Sequence, residues 1–295
     1  MTRLQIVSGG DSKYFELLDE LACSIKALNL DTEINLTFLD GGLKEEQKKY
    51  FEKNSIQVLD PGWRSEVAER RSRGRNFLKI NVAKLHLDKI FPKADTILWV
   101  DGDTWFQTSK AIDYFVSVAA KNKLGIVSQS SRNNIDTIIY KNWFGRLVEL
   151  RNILYKNAIR SNLPKNLINI LKAKSTLNAG AYALKKDAPH WKRFRYWQQR
   201  ILKNGRVFTS DQLSMGLTIY HDSLPFEPLP DICNYFGKLR WNASINKFVD
   251  FYVPNDPISI IHLAAQDEIR ENKNLEHKLL DMNDTTVSKK IRFQK

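Results

Sequence analysis

The sequence predicts an α/β fold, a mainly parallel sheet flanked by helices with a helical insertion, and three observations lead there. Short apolar runs alternate with segments of helical periodicity along the first third of the chain, as in successive βα units. Gly or Asp residues follow several of the predicted strands, where open α/β sheets bind ligands. A length of 295 residues, 42% of them hydrophobic, suits one elaborated catalytic domain better than two small ones.

Leu4 to Val7 reads as a first strand, Ser8-Gly9-Gly10-Asp11 as a turn, and Tyr14 to Leu28 as a helix with apolar positions 17, 18, 21, 25 and 28. Glu33 to Leu39 is a second strand, Lys44 to Lys53 an amphipathic helix and Ile56 to Leu59 a third strand. A helix over Asn76 to Ile90 leads to a strong strand, Thr96 to Val100, whose carboxyl end delivers Asp101-Gly102-Asp103. Gly125 to Ser128 is a short strand, and Ile135 to about Lys174 is a basic, helix-like insertion interrupted at Pro164. A strand over Ala179 to Leu184, helices from Pro189 to Leu202 and after Ser210-Asp211-Gln212, and a strand ending at His262 complete a domain spanning 1–271. Residues 272–295 form a polar, basic tail expected to lack regular structure in part.

The formal charge of +13 favours anionic partners, whether nucleic acid, a membrane surface or a phosphorylated glycolipid. Basic residues gather in 64–93, 141–174 and 185–206, with Trp143, Phe144, Trp191, Phe194, Tyr196 and Trp197 among them. That pattern fits either an anion-binding face or an ordinary solvated surface. Cys23 and Cys233 match no metal-ligand spacing and read as small apolar residues in a reducing compartment. The amino terminus shows no leader pattern and no apolar run approaches the roughly 18 to 20 residues that span a bilayer. Hence a cytoplasmic protein is expected, with peripheral contact at the inner membrane face at most.

Two carboxylates two residues apart at a strand end can converge on one hard divalent cation, Mn²⁺ or Mg²⁺, with an imidazole favouring Mn²⁺. Such a cation could bridge a nucleotide diphosphate and stabilise it as a leaving group. Asp-Gly-Asp is equally the composition of an ordinary turn. Asn178-Ala179-Gly180 places an amide beside residues of little bulk, Asp211 opens a helix and reads also as a cap, and His262 ends a strand, where a structural histidine is commoner than a ligand. Each motif is weak alone, and their joint order is informative.

In that order the chain resembles glycosyltransferase family 8, especially the bacterial lipooligosaccharide galactosyltransferases. The matching segments are Ile6-Val7-Ser8-Gly9-Gly10-Asp11, Thr32-Glu33-Ile34 through Leu39-Asp40-Gly41-Gly42, Ala83-Lys84-Leu85, Ile97 to Thr104, Leu177-Asn178-Ala179-Gly180, Ser210-Asp211-Gln212 and Ile260-Ile261-His262-Leu263. The resemblance implies a GT-A fold, the nucleotide-diphospho-sugar transferase fold, and a retaining hexosyltransferase. Its donor would be a UDP-sugar and its acceptor a glycan or glycolipid, as in lipopolysaccharide biosynthesis. It implies that Asp101, Asp103 and His262 hold the metal, with Asp103 near the donor ribose, and that Gly9, Gly10 and Asp11 meet the base. Gly102 and Gly180 would also line the donor. Lys84 stands where the family usually has an Arg facing the donor sugar and phosphates. Asn178, Asp211 and Gln212 would line the sugar, with Gln212 under the anomeric carbon as nucleophile or as electrostatic support.

The family's His-x-x-Gly-x-x-Lys appears here as His262-Leu-Ala-Ala265-Gln-Asp-Glu268. A glutamate facing pyrophosphate would repel it, so either Arg270 or another base supplies the missing charge, or donor binding and activity are altered. A nucleotidyltransferase could share this architecture, but Ser8-Gly9-Gly10-Asp11-Ser12-Lys13 is only a faint phosphate loop. A nucleic-acid-binding protein would fit the charge, though no recognisable binding module is visible. The basic and aromatic stretch from Lys141 to Arg206 is the expected acceptor side, suited to an anionic glycan.

Overall fold

A computed structural model describes residues 3–30, 34–130, 133, 139–143, 146–172 and 174–294, with backbone alone described over 139–151. Thr32, Glu33 and Phe144, and the start of the expected insertion, lie outside the described residues. The chain opens with β1 (Leu4–Gly10), α1 (Phe15–Ala27), β2 (Ile34–Asp40), α2 (Glu45–Lys53) and β3 (Gln57–Leu59). Helices α3 (Glu66–Ser72), α4 (Leu78–Ala83) and α5 (Leu87–Ile90) lead to β4 (Thr96–Val100), followed by β5 (Thr104–Phe106), α6 (Lys110–Ala120) and β6 (Leu124–Ser128). Next come β7 (Ile139–Trp143), β8 (Arg146–Arg151), α7 (Ile153–Arg160), α8 (Lys165–Leu171), β9 (Leu177–Lys185), α9 (His190–Leu202), α10 (Ser210–Tyr220) and β10 (Phe226–Leu229). The last elements are β11 (Leu239–Asn242), β12 (Lys247–Asp250), β13 (Ile260–His262), α11 (Asp267–Glu271), β14 (Glu276–Asp281) and β15 (Thr286–Lys290).

The main sheet has seven strands in the order β10, β6, β9, β4, β1, β2, β3. β9 alone runs antiparallel to both of its neighbours, while the other pairings are parallel. All five residues of β4 are buried, as a central strand covered on both faces requires. Its alternation decides the two cores: Leu98 and Val100 join Ile6 and Phe38 under α1 and α6, whereas Ile97 and Trp99 join Val7, Tyr182, Trp191 and Phe194 under α9. In α1 the apolar stripe Leu17, Leu18, Leu21 and Ile25 is buried, in keeping with its helical spacing.

Three expectations need correcting. The insertion is not helical throughout: β7 and β8 form an antiparallel hairpin before α7 and α8. The basic charges of that stretch say little about its backbone, whereas Ile139-Tyr140 and Leu147-Val148 carry β-branched and aromatic residues. The aromatics of α9 do not form an exposed face. Trp191, Phe194 and Trp197 are buried at three-residue intervals, a core stripe, and only Tyr196 among the aromatics of that helix is exposed. Residues 272–295 are not a loose tail either, since β14 pairs parallel with β11 and antiparallel with β15 in a four-stranded sheet. Ile291 is buried in a cluster with Trp105, Leu239 and Phe248, against which Leu279 and Phe293 pack, so sparse apolar residues suffice when each meets an existing core.

This late segment is fixed by a buried charge pair. Arg292, 2% exposed, donates to Glu20 Oε2 and Oε1 of α1 at 3.0 and 2.7 Å and to the backbone carbonyl of Arg270 at 3.0 Å. Trp105 Nε1 donates to the Ile291 carbonyl at 3.0 Å. Cys23 and Cys233 are free thiols. Among the described residues no helix is long and apolar enough to cross a membrane. Replacing Arg292→Ala strands the Glu20 carboxylate, so chemical denaturation should show a loss of about 3 to 5 kcal/mol, much of it recovered in an Arg292→Met, Glu20→Leu double variant.

Candidate functional site

The site is assembled by three crossings of the chain at one end of the sheet. β4 ends at Val100 and releases Asp101, whose backbone N–H donates to the Gly180 carbonyl of the neighbouring β9 at 2.7 Å. Thr104 then starts β5, which pairs antiparallel with β13 so that His262 lies opposite Thr104, next to Asp103. β9 is irregular where it meets β6: Val127 pairs with Asn178 but Ile126 with Tyr182, so residues 179–181 have no partner on β6, and Ala179 and Gly180 border the cleft. The Gly180 N–H donates to Asn178 Oδ1 at 2.9 Å, which closes that stretch on itself.

These pieces line a cleft of about 770 Å³, within the range of small-molecule sites. Every candidate named from the sequence borders it: Gly9, Gly10, Asp11, Lys84, Asp101, Gly102, Asp103, Asn178, Gly180, Asp211, Gln212 and His262. Glycine is demanded at two of these places by contact. A Cβ on Gly180 would come within 2.4 Å of His262 Cε1, and one on Gly102 within 3.0 Å of the Gly9 carbonyl oxygen.

The electrostatic arrangement divides each carboxylate between two duties. Asp101 Oδ1 accepts from Lys84 Nζ at 2.6 Å and from Trp99 Nε1 at 2.8 Å, leaving Oδ2 4.0 Å from His262 Nε2. Asp103 Oδ2 accepts from Arg270 at 3.0 Å, leaving Oδ1 3.4 Å from the same imidazole nitrogen. One oxygen of each carboxylate therefore rests on a base and the other faces a shared centre. His262 Nδ1 donates to Asn234 Oδ1 at 2.8 Å, which aims Nε2 at the carboxylates; without a metal that nitrogen carries a proton toward Asp103, and a cation would take its place. Asp101, Asp103 and His262 can place one ligand atom each within 4.8 Å of one another, a donor set suited to Mn²⁺ or Mg²⁺.

Burial raises the pKa of a carboxyl and lowers that of a base, and here the neighbours decide the outcome. Burial pushes the Asp103 carboxyl up, but the His262 and Arg270 charges prevail and bring it down to about 2. Burial pulls Lys84 down, yet Asp101 and Asp211 together hold it above the usual lysine value. Lys84 Nζ lies 3.4 Å from Asp211 Oδ2 and over the Trp99 ring at 4.9 Å. Asp211 is driven upward by its own burial, against the pull of Lys84. Lys84 thus ties the acidic pair of β4 to the amino end of α10.

Glu268, expected to oppose a bound pyrophosphate, is exposed and does not border the cleft. Arg270 borders it instead, held by Tyr14 Oη at 2.9 Å and by Asp267. The turn before α11 explains the shift. Ala265 has φ of +57°, the left-handed conformation in which glycine is favoured, and the short helix that follows turns Arg270 inward. Tyr14, Trp99 and Asn234 are site residues that motif reasoning did not name, because a tyrosine in a helix, a tryptophan in a strand and a loop asparagine carry no pattern of their own.

No protein-family model and no curated protein sequence matches the chain. Solved structures do. Galactosyltransferase LgtC, in complex with donor and acceptor sugar analogs, superposes with a TM-score of 0.51 at 16% identity over 88% of this chain and 86% of its own. The bifunctional glycosyltransferase WbbM matches at 0.55 and 14% identity over 90% of this chain, which spans 46% of WbbM. Mouse xyloside xylosyltransferase 1 matches at 0.51 and 12% identity, covering 90% and 98% of the two chains. The chain has the GT-A glycosyltransferase fold. Two substitutions test the local geometry: Gly180→Ala should cost about 1 to 3 kcal/mol by overpacking against His262, and Ala265→Gly should gain about 1 kcal/mol by relieving the left-handed backbone, both read from urea unfolding.

Proposed function

We propose that this chain transfers a hexose from a UDP-sugar to a glycan or glycolipid acceptor, with retention of anomeric configuration. A divalent cation, Mn²⁺ or Mg²⁺, is held by Asp101, Asp103 and His262. The observation that carries the reading is the convergence of Asp101 Oδ2, Asp103 Oδ1 and His262 Nε2 on one centre, with their other polar atoms already bound to protein groups. LgtC with its donor and acceptor analogs supports it by likeness of fold.

When bound, the cation supplies positive charge across a diphosphate and eases its departure. Arg270 stands beside Asp103 in the same cleft and contributes the fixed positive charge that Glu268 cannot. Lys84 holds Asp101 and Asp211 together, so the metal end and the sugar end of the cleft keep a constant spacing. Asp211 and Asn178 offer acceptors for sugar hydroxyls. Gln212, partly exposed at the start of α10, faces the space where the anomeric carbon would lie and steadies positive charge developing there. Gly9, Gly10 and Asp11, at the end of β1, border the part of the cleft left for the base.

Thermal unfolding with Mn²⁺ and a panel of nucleotide-sugars should show a raised midpoint for one UDP-sugar only when the metal is present. The Asp101→Ala, Asp103→Ala variant should lose that shift, and an unchanged response would remove the metal from the site. Asn234→Ala, which frees the His262 ring, should weaken Mn²⁺ binding by about 10- to 100-fold in direct titration.

A further inference from the structure

With Trp191, Phe194 and Trp197 of α9 buried and its exposed Tyr196 not bordering the cleft, the exposed aromatic surface near the cleft lies elsewhere. Phe208 is 63% exposed and Phe77 37% exposed, and both border the cleft that holds Gln212. They come from distant parts of the chain: Phe77 precedes α4, and Phe208 lies in the loop between α9 and α10. The Asn81 side chain donates to the Phe208 carbonyl at 3.4 Å. Beneath them Ala68, Leu78, Val82, Leu202 and Val207 form one small buried cluster. Arg71 joins the two segments directly, donating to the carbonyls of Leu202 at 2.6 Å and Asn204 at 2.8 Å. The lip is therefore a built structure in which two loops share a core.

Its charge is strongly positive. Residues 64–75 carry five arginines against two glutamates, Glu66 and Glu69, and the facing loop adds Lys203 and Arg206. Arg71 is used internally, and Arg75 donates to the Ser72 carbonyl at 3.0 Å. Arg73, Arg75 and Arg206 are exposed and make no ion pair with any described residue. Arg75 and Arg206 each sit two residues before the phenylalanine of their own loop. Exposed rings offer apolar faces to the CH surfaces of sugar rings, and guanidinium groups bind phosphate bidentately.

The geometry points to this lip as the acceptor subsite, built for a saccharide that carries phosphate groups close to the residue being extended. This rests on the glycosyl-transfer reading and sharpens it: Phe77 and Phe208 seat the sugar, and Arg73, Arg75 and Arg206 select acceptors bearing anionic groups. A neutral oligosaccharide would use the rings and leave the arginines solvated.

A matched pair of probes tests this on the full-length protein with Mn²⁺ and UDP present: pentamannose 6-phosphate and the same pentasaccharide after phosphatase treatment. The phosphorylated probe should bind at least about tenfold more tightly, with the advantage shrinking as salt is raised. Arg73→Ala, Arg75→Ala, Arg206→Ala together should remove most of that tenfold preference, while the corresponding triple lysine variant should restore much of it. Phe208→Ala should weaken both forms severalfold. Equal binding of the two probes, or an unchanged preference in the triple alanine variant, would overturn the assignment. So would tighter binding of oligodeoxythymidylate than of either sugar, which would make the lip a nucleic-acid surface. The Mn²⁺-dependent UDP shift of the parent protein, read separately, reports whether the donor site itself stands.

Discussion

Two carboxylates, an imidazole and two bases are confined at the end of β4, and no member of the group could be placed independently of the others. Asp101 and Asp103 would repel one another if left with the imidazole alone, and burial would drive the carboxyl of Asp103 toward its neutral form. Lys84 and Arg270 prevent this by taking one oxygen from each. The outward pair of oxygens then keeps its charge and its direction. The geometry of the cleft follows from that division: the carboxyl end of α4 must approach β4 to bring Lys84, the turn at Ala265 must bend to bring Arg270, and β13 must pair with β5 to bring His262.

The Lys84 bridge has a second effect. Because the same ammonium group reaches Asp211, the first turn of α10 is held to the end of β4 by charge as well as by packing. Gly180 enters from the irregular stretch of β9, and Asn178, the paired residue just before it, accepts from the Gly180 N–H. A cleft made in this way has a rigid floor.

Much of this was legible in the sequence. The four apolar residues of β4 followed by Asp-Gly-Asp, the imidazole at the end of a late strand and the glycine-rich end of β1 are local signals, each set by strand periodicity and turn chemistry. Other features depended on what the chain meets in space. The spacing of Trp191, Phe194 and Trp197 was available as a helical core stripe, but surrounding arginines and lysines obscured it. Residues 276–290 looked polar because they form a sheet with one covered face and few apolar residues per strand. Arg270 could be suspected but not placed, since a left-handed residue five positions earlier decides where its side chain points.

Arg292 gives the late sheet a bearing on how the protein is made. Its guanidinium holds the Arg270 carbonyl and a carboxylate of the first helix at once, so it joins residues 272 positions apart that emerge from the ribosome at well-separated times. A nascent chain can form the parallel strands and the acidic turn long before residue 292 emerges. Until then the Arg270 carbonyl in α11 lacks its donor and Glu20 lacks its hydrogen-bonded counter-charge. The cleft is thus matured from behind, and the chain acquires its full electrostatic form only after the rest of the sheet has been laid down.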